Sequence, residues 1–158
     1  MSGKKEIRER LAKHLIGGEA FMSVTEMLKK ISFEDINTRP GNLPYSIYEL
    51  FYHIVFAQKD IVKYTCSDDY TEPKWPDYYW PKEKICRSAV EWETLKAEYT
   101  TDRERLKIFL LKEENKLMQP VKNGKGEQTL LRETMLVIEH NAYHTGQMMV
   151  ILRLLNLH

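Results

Sequence analysis

From Thr129 to Leu155 the chain offers one helix that is apolar nearly all round: Leu130, Leu131, Met135, Leu136, Val137, Ile138, Met148, Met149, Val150, Ile151, Leu152 and Leu154. A surface helix carries a single apolar stripe, so a helix of this kind sits at the centre of a fold or also contacts a second subunit. Its partners must be helices, because no other stretch alternates with period two for more than a few residues. One helix is expected from about Lys4 to Ile16, with Ile7, Leu11 and Leu15 on one stripe. Gly17-Gly18 ends it, since glycine accepts the left-handed C-cap conformation. A short helix follows from Val24 to Ile31. Two longer ones run from about Ile47 to Thr65 and from Ala89 to Glu114. The latter carries Trp92, Leu95, Tyr99, Leu106, Phe109 and Leu110 at helical spacing.

Three of the helix starts are written in the capping-box pattern S-x-x-E: Ser23 with Glu26, Ser46 with Glu49, and Ser88 with Glu91. In such a box the serine oxygen accepts from the N3 amide while the glutamate reaches back to the N-cap amide. Met22 with Met27 and Tyr45 with Leu50 add hydrophobic staples to the first two. Amphipathic helices in this number bury their stripes against one another. The expected fold is all-α, a four-helix bundle with one extra short helix and a long aromatic loop, in one domain over residues 1–158.

Composition narrows the function. In 158 residues, 24 Lys and Arg face 23 Asp and Glu, for a net charge of +1, and 42% of the chain is apolar. That balance excludes a disordered chain and argues against a dedicated nucleic-acid binder, which needs a basic excess or cluster. The charged opening segment is followed by no signal-like apolar stretch, and no run approaches a membrane span. A cytoplasmic protein with no membrane partner is expected. Cys66 and Cys86 then read as reduced thiols at the borders of a loop, rather than as a metal ligand or nucleophile.

Polar groups embedded in the apolar last helix must find partners, so His140, Asn141, His144 and Gln147 mark the place to look for chemistry. His140 and His144 are four residues apart. On a helix both imidazoles face one point, as a zinc-like ion requires, although such a pair can also hydrogen-bond to itself or to backbone. His53 lies mid-helix on the stripe of Leu50 and Ala57, so it should face the core. From there it can complete a three-nitrogen site with a position left open for water or substrate, or else be a satisfied core histidine. Gln147 could orient a bound molecule. Glu133 shares the face of His140 but lies about 10 Å along the axis, too far to ligate and near enough to pair with a buried polar group or to support the first turn. Glu139 points away from His140, in E-H-x-x-x-H rather than H-E-x-x-H, and no catalytic residue is assigned.

Between Cys66 and Ser88 lies a long connection with Tyr70, Trp75, Tyr78, Tyr79 and Trp80 interleaved with prolines. Such a loop is often functional. Trp75, Tyr79 and Trp80 could wall a pocket over the histidines, or could seal a satellite core.

The segments L-P-Y-S-I-Y-E-L-F-Y-H-I-V-F-A-Q-K-D-I, W-P-D-Y-Y-W-P and Q-T-L-L-R-E-T-M-L-V-I-E-H-N-A-Y-H-T-G-Q together resemble the DinB-like (DinB/YfiT) superfamily. The resemblance covers nearly the whole chain, and H-N-A-Y-H-x-G-Q is its most specific part. It implies a four-helix bundle, often a homodimer, with a divalent metal held by His53, His140 and His144. Characterised relatives include transferases and isomerases that use low-molecular-weight thiols, and others described as metal-dependent hydrolases. The expectation is therefore a metal-dependent enzyme of the thiol-dependent S-transferase or isomerase kind, with zinc or nickel as the ion and a low-molecular-weight thiol as cosubstrate to a small molecule. The alternatives are a hydrolase on the same site, or a non-catalytic metal- or small-molecule-binding module.

Overall fold

The computed structural model describes residues 2–158. Five helices follow in order: α1 (Ser2–Ile16), α2 (Val24–Leu28), α3 (Ile47–Cys66), α4 (Ala89–Leu111) and α5 (Leu130–Leu154). No strand occurs among the described residues; the sole strand-like contact is an isolated bridge between Pro120 and Thr129. Among the described residues no helix is long and apolar enough to cross a membrane. The fold is all-α, and the four long helices form the bundle. Around it the neighbours run α1, α4, α3, α5 and back to α1, while α2 packs on α5.

The local signals act where the sequence places them. Ser23 and Ser46 close complete capping boxes with Glu26 and Glu49. At the third, Ser88 accepts from the Glu91 amide, but the Glu91 carboxylate turns elsewhere. It takes the Arg87 amide at 3.2 Å and the Tyr48 hydroxyl at 3.1 Å, so the box is half made and its acid ties α4 to α3. Gly17 and Gly18 stop α1 with φ of 88° and 86°.

One expectation needs correction and another is narrowed. The inward face of α1 is Arg8, Ala12 and Leu15, while Ile7 is half exposed. Arg8 turns inward because the end of α4 needs donors: its guanidinium donates to the Leu110 carbonyl and, at 2.6 Å, to that of Asn115. A charged donor fork thus satisfies a helix-end carbonyl of α4 together with a carbonyl of the turn after it. Arg103 of α4 returns the favour, donating to the Ile16 carbonyl at the end of α1 at 2.8 Å. The either-or for α5 is narrowed: it stands at a corner of the bundle rather than at its centre, so contact with a second subunit is the alternative that stays open. Met135, Tyr143, Val150 and Leu154 remain exposed along its outer face.

The core falls into two clusters. One joins α2 to the first half of α3, the first half of α4 and the end of α5, around Phe51, Ile54, Trp92 and Met148. The other joins α1 to the opposite end, around Leu15, Val62, Leu106 and Leu130. Between them Gln58 donates to the Tyr99 carbonyl at 2.9 Å and accepts from Arg103 Nε at 2.9 Å.

Candidate metal centre

Three imidazoles meet between α3 and α5. His140 Nε2 lies 3.2 Å from His53 Nε2 and 3.1 Å from His144 Nε2. His53 and His144 are buried and His140 is half buried. The i, i+4 spacing on α5 brings two rings to one point, and the core-facing stripe of α3 supplies the third.

The outer nitrogens show how the rings are held. His53 Nδ1 is 3.0 Å from the Tyr79 carbonyl oxygen. A carbonyl only accepts, so Nδ1 carries the proton and, in the neutral ring, Nε2 presents its lone pair inward. His144 Nδ1 makes the corresponding bond to Gln147 Oε1 at 2.6 Å. Trp80 lies flat on His53, centroids 4.4 Å apart and planes 5° from parallel. Tyr143 packs edge-on against His144 at 4.9 Å.

These contacts test whether a cation suits the site. With His53 and His144 protonated on their outer nitrogens, His140 Nε2 can donate to one neighbour at most. The other contact is then left without a hydrogen bond, and with the His140 proton on Nδ1 both contacts set lone pair against lone pair; either way the arrangement favours a cation among the three. The ligating group holds imidazoles only. Imidazole nitrogen suits zinc and its neighbours, and three protein ligands leave coordination positions vacant. Burial lowers the pKa of all three rings. For His140 the effect, reinforced by His144 and then His53, reaches about 4. For His53 the Tyr79 carbonyl offsets part of it, and for His144 Gln147 does the same. All three rings are thus neutral at pH 7, each with one nitrogen able to ligate.

The other candidates are placed unequally. Gln147 touches His144 directly. Of the loop aromatics, Trp80 covers His53 with its ring, and Tyr79 reaches it only through its carbonyl. The Tyr79 ring packs on Phe56 at 5.0 Å, and its hydroxyl donates to Asp60 at 2.6 Å. Trp75 packs on the far side of Tyr79 and is 65% exposed. Glu133 is buried away from the histidines, paired with Arg132 at 2.5 Å. Cys66 and Cys86 are free thiols, each pushed up in pKa by burial, which keeps them protonated. Sequence reasoning missed Asp60 and Tyr143. Asp60 follows His53 by seven residues on one helix face, a spacing that could have flagged it.

A protein-family model described as the DinB superfamily matches residues 19–148. No curated protein and no solved structure matches the chain.

Proposed function

This chain belongs to the DinB superfamily, and from that premise we propose that it is a metal-dependent enzyme of the thiol-dependent transferase or isomerase kind. His53, His140 and His144 would hold a divalent ion, zinc or nickel, through Nε2. The observation that carries the reading is the convergence of three Nε2 atoms from neutral imidazoles, two of them aimed as lone pairs by hydrogen bonds on the far side of their rings. Such an ion supplies Lewis acidity toward a thiol or a water. A donor set without carboxylates leaves the ion's charge uncompensated, which favours an anionic guest such as a thiolate over a neutral one. Trp80 and Tyr143 flank the histidines with apolar surface, against which the carbon part of an electrophile could lie. Free cysteines fit the reducing cytosol, where small thiols are abundant.

The test is turnover of a panel of electrophiles, with and without low-molecular-weight thiols, by protein purified without a metal-affinity column. Thiol-dependent turnover by metal-loaded protein, lost in His53→Ala, is expected. Turnover indifferent to thiol would replace this reading with hydrolysis. Metal bound without any turnover would leave a binding module.

We also propose that the protein pairs with a second copy through α5. Its exposed stripe carries Met135, Tyr143, Val150 and Leu154, and a Cβ on Gly146 would meet nothing within 4 Å. The chain's own packing therefore does not require glycine there. Glu139 and Arg153 lie seven residues before and seven after Gly146. An antiparallel crossing at the glycine would set each acid of one copy against the base of the other. Glu139→Arg alone should yield monomer by light scattering, and Glu139→Arg with Arg153→Glu should restore the dimer. Equal mass for all variants would refute the pairing.

A further inference from the structure

The long loop between α3 and α4 is fastened to α3 at one carboxylate. Asp60 Oδ1 accepts from the Tyr70 hydroxyl at 2.9 Å, and Oδ2 accepts from the Tyr79 hydroxyl at 2.6 Å. Both phenols sit beside packed rings, Tyr70 on Tyr64 at 5.1 Å and Tyr79 on Phe56 at 5.0 Å. Hydrogen bonds to a charged acceptor are stronger than neutral ones, so the loop's middle is held where Asp60 dictates. Elsewhere the loop is tied near its ends. Asn37 pairs reciprocally with the Cys86 backbone, and Asn123 donates to the Ser67 carbonyl.

What the middle of the loop delivers is a contact with the histidine centre. The same Tyr79 whose hydroxyl binds Asp60 presents its carbonyl to His53 Nδ1 at 3.0 Å, and the next residue, Trp80, stacks on the His53 ring. Asp60 and His53 are on one helix, so α3 provides both the imidazole and the anchor for the loop that orients it. We propose that Asp60 is a positioning residue for His53, acting through Tyr79 to fix the ring's tautomer and the direction of its inward lone pair.

The inference rests on the metal reading only for its affinity arm. The Tyr79 carbonyl is the direct partner of His53, and loss of such a partner costs about 10- to 100-fold in metal affinity, which sets the upper bound for Asp60 acting through it. Asp60→Ala should therefore weaken binding of zinc ion alone by more than about twofold and by at most about 100-fold, measured by competition with a chelator. In metal-free protein it should also abolish or broaden the downfield NMR resonance of the His53 Nδ1 proton while sparing that of His144. A general loss of packing would not be confined to one imidazole. Asp60→Glu should recover part of both effects. Should Asp60→Ala fail to fold, Tyr70→Phe with Tyr79→Phe removes both hydroxyls and leaves the Tyr79 carbonyl and every ring in place. It should reproduce the loss. A folded variant that keeps the His53 signal and binds zinc within twofold of wild type overturns the proposal. If wild type binds no zinc, the metal reading fails, and the His53 resonance still decides the role of Asp60.

Discussion

Zinc at one hundred times its dissociation constant should raise the melting temperature of this protein by about 5–11 °C. The figure comes from linkage: a ligand that binds only the folded state at that ratio adds about 2.7 kcal/mol, and each kcal/mol moves the midpoint of a chain this size by about 2–4 °C. The structure supplies the reason for selective binding to the folded state. Three Nε2 atoms from two helices, those of His53 and His144 lying 3.2 and 3.1 Å from that of His140, come together only when α3 and α5 are packed. His53→Ala removes one of the three. If that raises the dissociation constant 100-fold, the same zinc concentration adds only about 0.4 kcal/mol, a shift of about 1 °C. The metal-free variant should also melt lower than wild type, since it loses the Trp80 stack and leaves a void. The diagnostic quantity is therefore the zinc-dependent increment, not the absolute midpoint. Calorimetry of wild type, His53→Ala and His14→Ala, each with and without zinc, gives it. His14 lies outside the cluster and its variant should keep the full increment. Equal increments in wild type and His53→Ala, or none in wild type, would refute the three-ligand argument.

Two further outcomes follow from the scaffold. Arg8→Met should destabilise the protein by about 3 kcal/mol or more, because it strips one charge-assisted hydrogen bond from the end of α4 and one from the turn that follows it. Arg8→Lys, with a single ammonium in place of the fork, should fall between; urea midpoints will rank the three, and an unchanged midpoint for Arg8→Met would count against the cross-capping. Asp102 has a buried Oδ2 without a partner. Burial first, aided by Glu98 and opposed by Lys59, Arg105 and Lys63, raises its carboxyl above 3.8. A raised acid binds its proton more readily folded than unfolded, so its ionisation costs stability at neutral pH. Asp102→Asn should therefore raise the melting temperature at pH 7. The gain should shrink as the pH falls through the raised value and vanish by the unfolded value of 3.8.

The parts of this molecule legible from its sequence are those written in short-range spacing. Capping serines, the Gly17-Gly18 stop and the pair His140 and His144 each need only a helix's own geometry to be read. His53 needed one step more, the inference that a residue between Leu50 and Ala57 faces inward. What stayed hidden depends on which distant groups lack partners. Arg8 reads as one charge among many on a polar helix, and only the orphaned carbonyls of Leu110 and Asn115 give it a reason to turn inward. Likewise nothing periodic separates Trp75 from Trp80. The path of the loop, set by Asp60 on one side and by Asn37 at Cys86 on the other, decides that Trp80 lies on His53 while Trp75 faces solvent.

The polar residues of α5 illustrate the same division. All of them interrupt an apolar helix, yet they serve two faces about a quarter-turn apart. His140, His144 and Gln147 turn to His53 and the aromatic loop. Asn141 and Thr145 turn into the bundle, where Asn141 Nδ2 donates to the Val137 carbonyl at 2.9 Å and Thr145 Oγ1 to that of Asn141 at 2.6 Å. Beside them Gln58 and Arg103 form the polar layer that separates the two apolar clusters. Buried polar groups left partly satisfied are costly, so a layer of this kind holds its helices to one register. The register matters because His53 precedes Gln58 by little more than one turn of α3, and a slip of α3 against α5 would carry the imidazoles apart. The interior layer thus holds the two helices at the offset on which the histidine cluster depends, and the same polar interruptions of α5 serve both the scaffold and its site.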